Sequence, residues 1–289
     1  IWLFKILIMK NKLALTLIFI SYLSYSQLLS PVASPKTKII QKVGLVDINL
    51  EYSRPSKKNR KIFGGLVPYG KIWRTGANNP TLISFSENIK LNNKLIEKGD
   101  YHIYSVPSKS KLDLIIYEKT DAWGSLSDFD ESLIKARVVS NFIDLPFTLE
   151  TFTIAFNDIS NNGASLIINW DNKQAVYMID VLTKVKMIEN INKTLSENPT
   201  ANDYRKAAVY YYEENIDIAK AVKWIDIAFK DTDNLKYWQL RYKALIYEKA
   251  GNILKAKEYA EKGFKNAKEI NTIDGINALE IVVERLNNY

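Results

Sequence analysis

Between Ser53 and Pro80 the chain concentrates side chains able to hold a ligand: Arg54, Arg60, Tyr69, Trp73, Arg74 and Asn78. Arginine is permanently charged and presents planar donors that match a carboxylate or a phosphate. Tyrosine and tryptophan offer flat faces on which a sugar or a base can rest. A polar and aromatic loop on a rigid scaffold is a frequent form of ligand site. The same residues also have a structural reading, in which the arginines pair with Asp and Glu to lock a long loop and Trp73 fills the core. Two further residues are secondary candidates. Trp123, after Thr120-Asp121, is either a second aromatic lip or a packed core ring. His102, the only histidine, is either a general base or a structural residue inside a strand.

Other chemistry is excluded or unsupported. With no cysteine there is no disulfide framework, no thiolate metal site and no cysteine nucleophile. Asp128-Phe129-Asp130-Glu131 is acidic but lacks the glycine-centred spacing of a calcium loop, so no metal is expected. Gly64-Gly65 is not followed by Lys-Ser or Lys-Thr and is no phosphate loop. No G-x-S-x-G elbow occurs. The reading therefore leans away from an enzyme, and no cofactor is expected.

Positioning such residues requires a scaffold, and the periodicity supplies one. Val46, Ile48, Leu50 and Tyr52 alternate with Asp47, Asn49 and Glu51, the pattern of a half-buried strand. Similar short strands are expected near 81–86, 100–106, 112–117, 147–156, 164–170 and 174–179. Turn residues lie between them, including Lys98-Gly99-Asp100, Asn161-Asn162-Gly163 and Asp171-Asn172. Without helices for crossovers, this predicts an all-β antiparallel sandwich or barrel over 41–179. The irregular segment 53–80 breaks the rhythm, and long irregular stretches in compact domains are usually functional or specially packed.

From 180 to 289 the pattern is helical. Thr200 to Asp203 has capping-box spacing. Tyr212, Glu213, Ile218, Lys220, Ala221 and Phe229 recur 35 residues later as Tyr247, Glu248, Ile253, Lys255, Ala256 and Phe264. A repeat of this length predicts stacked helix pairs. With Ala244, Tyr247, Gly251-Asn252, Ala256 and Gly263, the second copy resembles a tetratricopeptide repeat. The first copy departs at Val209 and Ile216. A last helix near 272–287 is expected to cap the stack.

The N-terminus reads as an export signal over 1–26, with Met9 as the start. Lys10-Asn11-Lys12 precede an apolar run from Leu13 to Leu23, and Ser24 and Ser26 have cleavage-site spacing. The run is too short to span a bilayer, and no membrane span is expected after cleavage. An extended leader would follow over 27–40. Losing Lys5, Lys10 and Lys12 lowers the formal charge from +8 to +5, spread thinly, so no nucleic-acid partner is expected.

Tyr52-Ser53-Arg54-Pro55-Ser56, Arg60-Lys61-Ile62-Phe63-Gly64, Leu66-Val67-Pro68-Tyr69-Gly70 and Trp73-Arg74-Thr75-Gly76-Ala77-Asn78 carry a further signal. Over about 35–178 the chain resembles the bacterial domain of unknown function numbered 2911, common in Bacteroidetes. Later echoes are Gly99-Asp100-Tyr101, Val106-Pro107, Trp123-Gly124, Glu150 to Ile154 and Trp170. The resemblance implies export and, in some members, C-terminal tetratricopeptide-like helices; it implies no particular activity. Two departures stand out: Asn79-Pro80 where the pattern has Glu-Ala, and Asn59 where it often has glycine. The function expected is an exported, periplasmic or secreted binding module for a small-molecule or glycan ligand, with helical repeats that bind a protein or peptide. One alternative is a periplasmic hydrolase or isomerase acting on glycans or anionic small molecules. Another is a carbohydrate-binding module that stacks sugars on Trp73, Tyr69 and Trp123.

Overall fold

The computed structural model describes Trp2 and residues 30–119, 129–231 and 234–289. The expected signal segment, apart from Trp2, and Trp123 lie outside the described residues. The β domain contains ten strands among those described: β1 (Lys36–Val43), β2 (Val46–Ser53), β3 (Thr81–Phe85), β4 (Ile89–Leu91), β5 (Lys94–Ile96), β6 (Gly99–Pro107), β7 (Lys111–Glu118), β8 (Ile134–Asn141), β9 (Ile143–Asn157) and β10 (Gly163–Val181). All pairings between them are antiparallel. One sheet has the order β1-β2-β3-β6-β7-β8 and the other β5-β4-β10-β9. Their inward rows share one core. Ile48, Leu50 and Tyr52, Ile83 and Phe85, and Leu112, Leu114 and Ile116 come from the first sheet. Phe152 and Ile154, and Leu166, Ile168 and Trp170, come from the second. The alternation of β2 is reproduced in its burial, with Asp47, Asn49 and Glu51 facing out.

Several boundaries differ from the sequence reading. β1 begins at Lys36, inside the stretch expected as leader, because Lys36 to Val43 find a complete antiparallel partner in β2. β10 runs without a break through Asp171-Asn172. Asp171 adopts φ 56 and the register with β9 slips on either side of it, so this polar pair forms a bulge rather than a turn. β8 and the β4–β5 hairpin were not anticipated. The hairpin turns on Asn92 (φ 42) and Asn93 (φ 66), the left-handed pair that a two-residue turn requires.

Beyond Ser53 the chain leaves the first sheet and runs along the open edge of β9. Pro55 C=O accepts from Phe152 N–H at 2.9 Å, Ser56 bridges to Thr151, and Lys57 N–H donates to Glu150 C=O at 2.7 Å. Proline suits such an edge because only its carbonyl need pair. The buried Tyr52 hydroxyl joins the two sheets, donating to Ile154 C=O and accepting from Ile154 N–H, both at 2.9 Å. Burial raises its pKa, so it holds its proton. Tyr177 makes a second cross-sheet bond, to Leu112 C=O at 2.8 Å.

Six helices are described after β10: α1 (Thr183–Ser196), α2 (Ala201–Glu213), α3 (Ile218–Ala228), α4 (Tyr237–Lys249), α5 (Ile253–Glu269) and α6 (Ile273–Asn287). The capping box at Thr200 forms as expected, with reciprocal bonds to Asp203. The 35-residue shift is visible in the starts of α3 and α5. Their N-caps, Asp217 and Asn252, each accept from a lysine N–H three residues on. Gly263 faces Leu240 and Leu279, where an added Cβ would lie 3.1 Å from Leu240 Cβ, so α4, α5 and α6 pack closely. Between α3, α4 and α5, Lys243 is buried and reaches Asp226 at 2.6 Å; the Tyr247 hydroxyl donates to the same carboxylate. No helix among the described residues is long and apolar enough to cross a membrane. The helices meet the β domain where Thr183 Oγ1 accepts from Leu45 N–H and where Asn161 and Asn162 amides donate to Glu214.

Two stability outcomes follow, both read by denaturant unfolding of the full chain. Tyr52→Phe orphans two buried backbone groups and should cost about 1–3 kcal/mol; an unchanged midpoint would show that the cross-sheet bond contributes nothing. Asp226→Ala strands a buried ammonium and should cost about 2 kcal/mol, more than Lys243→Met, which removes that charge. The reverse ranking would contradict this assignment.

Candidate functional site

The segment from Ser53 to Pro80 carries seven cations and no carboxylate. Its first part, after the edge pairing with β9, turns sharply at Lys58 (φ 49) and Asn59 (φ 59), closed by a bond from Arg60 N–H to Lys57 C=O at 3.1 Å. Both central residues are left-handed, a conformation that asparagine tolerates best after glycine. Lys57 is anchored to Asp171 in the β10 bulge at 2.8 Å, which leaves the neighbouring Lys58 and Arg60 side chains on the surface.

A second tight loop spans 61–67. Gly64 (φ 78) lies under the Tyr69 ring, where an added Cβ would sit 2.4 Å from Tyr69 Cε2. The chain then returns along β6, Trp73 exchanging two 2.8 Å backbone bonds with Ser105. From Arg74 it bulges out and rejoins at Thr81, whose N–H donates to Arg74 C=O at 3.2 Å. Thr75 (φ 53) is fully buried, bonded to the Ser105 hydroxyl at 2.8 Å and accepting from Thr81 Oγ1 at 2.6 Å. A left-handed β-branched residue is uncommon and persists only where its surroundings over-determine it.

These loops wall a cleft of about 320 Å³. Its floor is aromatic. The half-buried Trp73 stacks on the buried Trp170, with centroids 5.8 Å apart and planes 21° apart. Phe63 and Phe152 support Trp73 edge-on. Ala33, Pro55, Leu66, Val67, Gly76 and Ala77 complete the walls. The polar lining consists of Ser34, Ser56, Lys58, Arg60 and Arg74; no carboxylate belongs to it. Lysine and arginine only donate, so the cleft offers a donor-rich rim and suits a ligand rich in acceptors.

Of the six sequence candidates, the structure brings Arg60, Trp73 and Arg74 together in this cleft. Arg60 is held by Ser56 and Lys57 carbonyls. Arg74 donates to Asn78 C=O at 3.0 Å. The other three do not line the cleft and instead hold the surrounding segment in place. Arg54 lies on the β9 edge, bonded to Phe152 C=O at 3.2 Å and Thr153 Oγ1 at 2.8 Å. Asn78 ties Ser34 C=O to the Ser53 hydroxyl, and Tyr69 covers Gly64. Arg54 and Arg60 both hold the segment through backbone carbonyls and, for Arg54, the Thr153 hydroxyl, where the structural reading expected Asp and Glu. His102 is buried on the opposite face of the first sheet, stacked with Tyr104 at 6.4 Å, and lines no part of the cleft. Trp170 and Lys58, which also line the cleft, are not among the sequence's site candidates. Trp170 sits about a hundred residues from Trp73 in sequence, and only the sandwich closes that gap.

A family model described as "Protein of unknown function (DUF2911)" matches residues 34–179. The chain belongs to that family. No curated protein and no solved structure matches it. The DUF2911 region coincides with the two sheets, and its sequence blocks now have physical roles. Tyr52 to Ser56 carry the chain from one sheet to the other, and Arg60 to Gly70 close the first turn and form the second tight loop. Trp73 to Asn78 supply the cleft floor and the strained bulge. Asn79 is exposed and Pro80 is buried.

The turn geometry gives a direct test. Asn59→Gly should change stability by less than about 0.5 kcal/mol, whereas Asn59→Val should cost about 1–2 kcal/mol. Equal midpoints for the two variants in urea unfolding would contradict the left-handed assignment.

Proposed function

We propose that this protein is an exported binding protein whose β domain holds an anionic small molecule in the cleft above Trp73. One observation carries the reading: Lys58, Arg60 and Arg74 converge on a cleft with an aromatic floor and no carboxylate in its lining. Within the segment Lys57 pairs with Asp171 and Arg60 is held by the Ser56 and Lys57 carbonyls, while the Lys58 side chain is exposed where it lines the cleft. Export rests on the basic, apolar and small-residue succession from Lys10 to Ser26. N-terminal sequencing of protein recovered outside the cytoplasm should begin at Gln27.

The helical region favours a second role. Its 35-residue repeat, with helices starting at Ile218 and Ile253, fits tetratricopeptide-like hairpins, a class that generally binds proteins or peptides. Affinity capture from envelope extracts with and without residues 183–289 tests that role, and identical partner sets would remove it.

For the cleft, thermal unfolding against a panel of acidic and neutral metabolites is the test. An acidic ligand at 100 times its Kd should stabilise the protein by about 2.7 kcal/mol. The gain should shrink with added salt. A Lys58→Ala/Arg60→Ala double variant should lose it. The same stabilisation in the double variant would rule out these residues as the anion's partners.

A further inference from the structure

The geometry points to a carboxylated sugar ring, the uronate unit of an acidic glycan, as the ligand of this cleft. The inference rests on the anion-binding reading above and narrows it. Three features of the cleft select this chemistry together. First, the aromatic surface belongs to Trp73, which packs one side against Trp170 and is only partly buried where it lines the cleft. A bare phosphate or a small dicarboxylate gains nothing from such a surface, whereas the C–H face of a pyranose packs on it. Second, the ionic donors lie at the rim on Lys58, Arg60 and Arg74, and the Ser34 and Ser56 residues lie among them. The hydroxyls both donate and accept, which suits sugar hydroxyls, while the cations suit a carboxylate. A neutral sugar would find few acceptors here, because no Asp, Glu, Asn or Gln lines the cleft. Third, about 320 Å³ lies at the small end of ligand sites, roughly 300–1,000 Å³. That matches one or two sugar rings and is tight for a dinucleotide or a large lipid.

The carboxylated ring has two sources, a free sugar acid and a unit within a polymer. The experiment separates them. The full mature chain is titrated by calorimetry with D-glucuronate, an oligogalacturonate, D-glucose and inorganic phosphate. Lys58→Ala/Arg60→Ala and Trp73→Phe variants, each checked for an unchanged melting profile, are titrated alongside. D-glucuronate or the oligogalacturonate should bind about tenfold or more tighter than D-glucose, and the double variant should lose about tenfold or more. Trp73→Phe should weaken the sugar acid while leaving phosphate unaffected. A tighter oligogalacturonate identifies the polymer as the source, and equal affinities per ring identify the free acid. Phosphate binding as tightly as the sugar acids would overturn the inference and leave the anion-binding reading standing. So would Trp73→Phe binding glucuronate at full strength. D-glucose binding as tightly as D-glucuronate, or no binding by any of the four, would overturn both.

Discussion

The Tyr52 hydroxyl takes both backbone groups of Ile154, and with that bond the chain commits to crossing from one sheet to the other. Without the crossing, β9 would present an unpaired edge and the sandwich would be open on that side. With it, residues 54–57 lie along β9 and the following chain must find its way back to β3 over the open end of the core. The cleft is the consequence of that return path. Its walls are the loops needed to cover the sandwich end, and its floor is the pair of indoles that the closure brings into contact.

Two demands therefore meet in one segment. As a cover, it must satisfy its own backbone, and it does so with tight local turns whose cost is visible at Lys58, Asn59, Thr75 and Asn78, all with positive φ. As a surface, it displays Arg60, whose hydrogen bonds run to the Ser56 and Lys57 carbonyl oxygens. Such bonds fix the direction of a guanidinium without neutralising it. Strain of this kind clusters where structure positions chemistry, and the anion-binding reading gives it a purpose.

Much of this was legible in the residues. The alternation in β2 announced a half-buried strand, and the 35-residue recurrence announced stacked helix pairs, whose α3 and α5 start at the equivalent Ile218 and Ile253. The capping signal at Thr200 was local and therefore readable. The irregular run 53–80 stood out because it matched neither period. What the sequence did not disclose was long-range. Asp171-Asn172 looks like a turn, but its pairing with β9 on both sides makes it a bulge. Arg54 and Arg60 look alike by type, and only the path of the chain sends one to the β9 edge and the other to the cleft. Trp170 shows no mark of its partnership with Trp73, since stacking across a sandwich leaves no periodic trace.

The central claim is that the covering segment is also a binding surface, centred on Trp73 and Arg60. The most direct measurement is a ¹H–¹⁵N NMR spectrum that resolves the tryptophan indole and arginine Nε–H signals, recorded as D-glucuronate is added. The account predicts saturable shifts concentrated on the Trp73 indole and Arg60 Nε–H, with the tryptophans of the helical region, Trp224 and Trp238, unmoved. Shifts that grow linearly and scatter over the surface, or that fall on Trp224 and Trp238 alone, would contradict it.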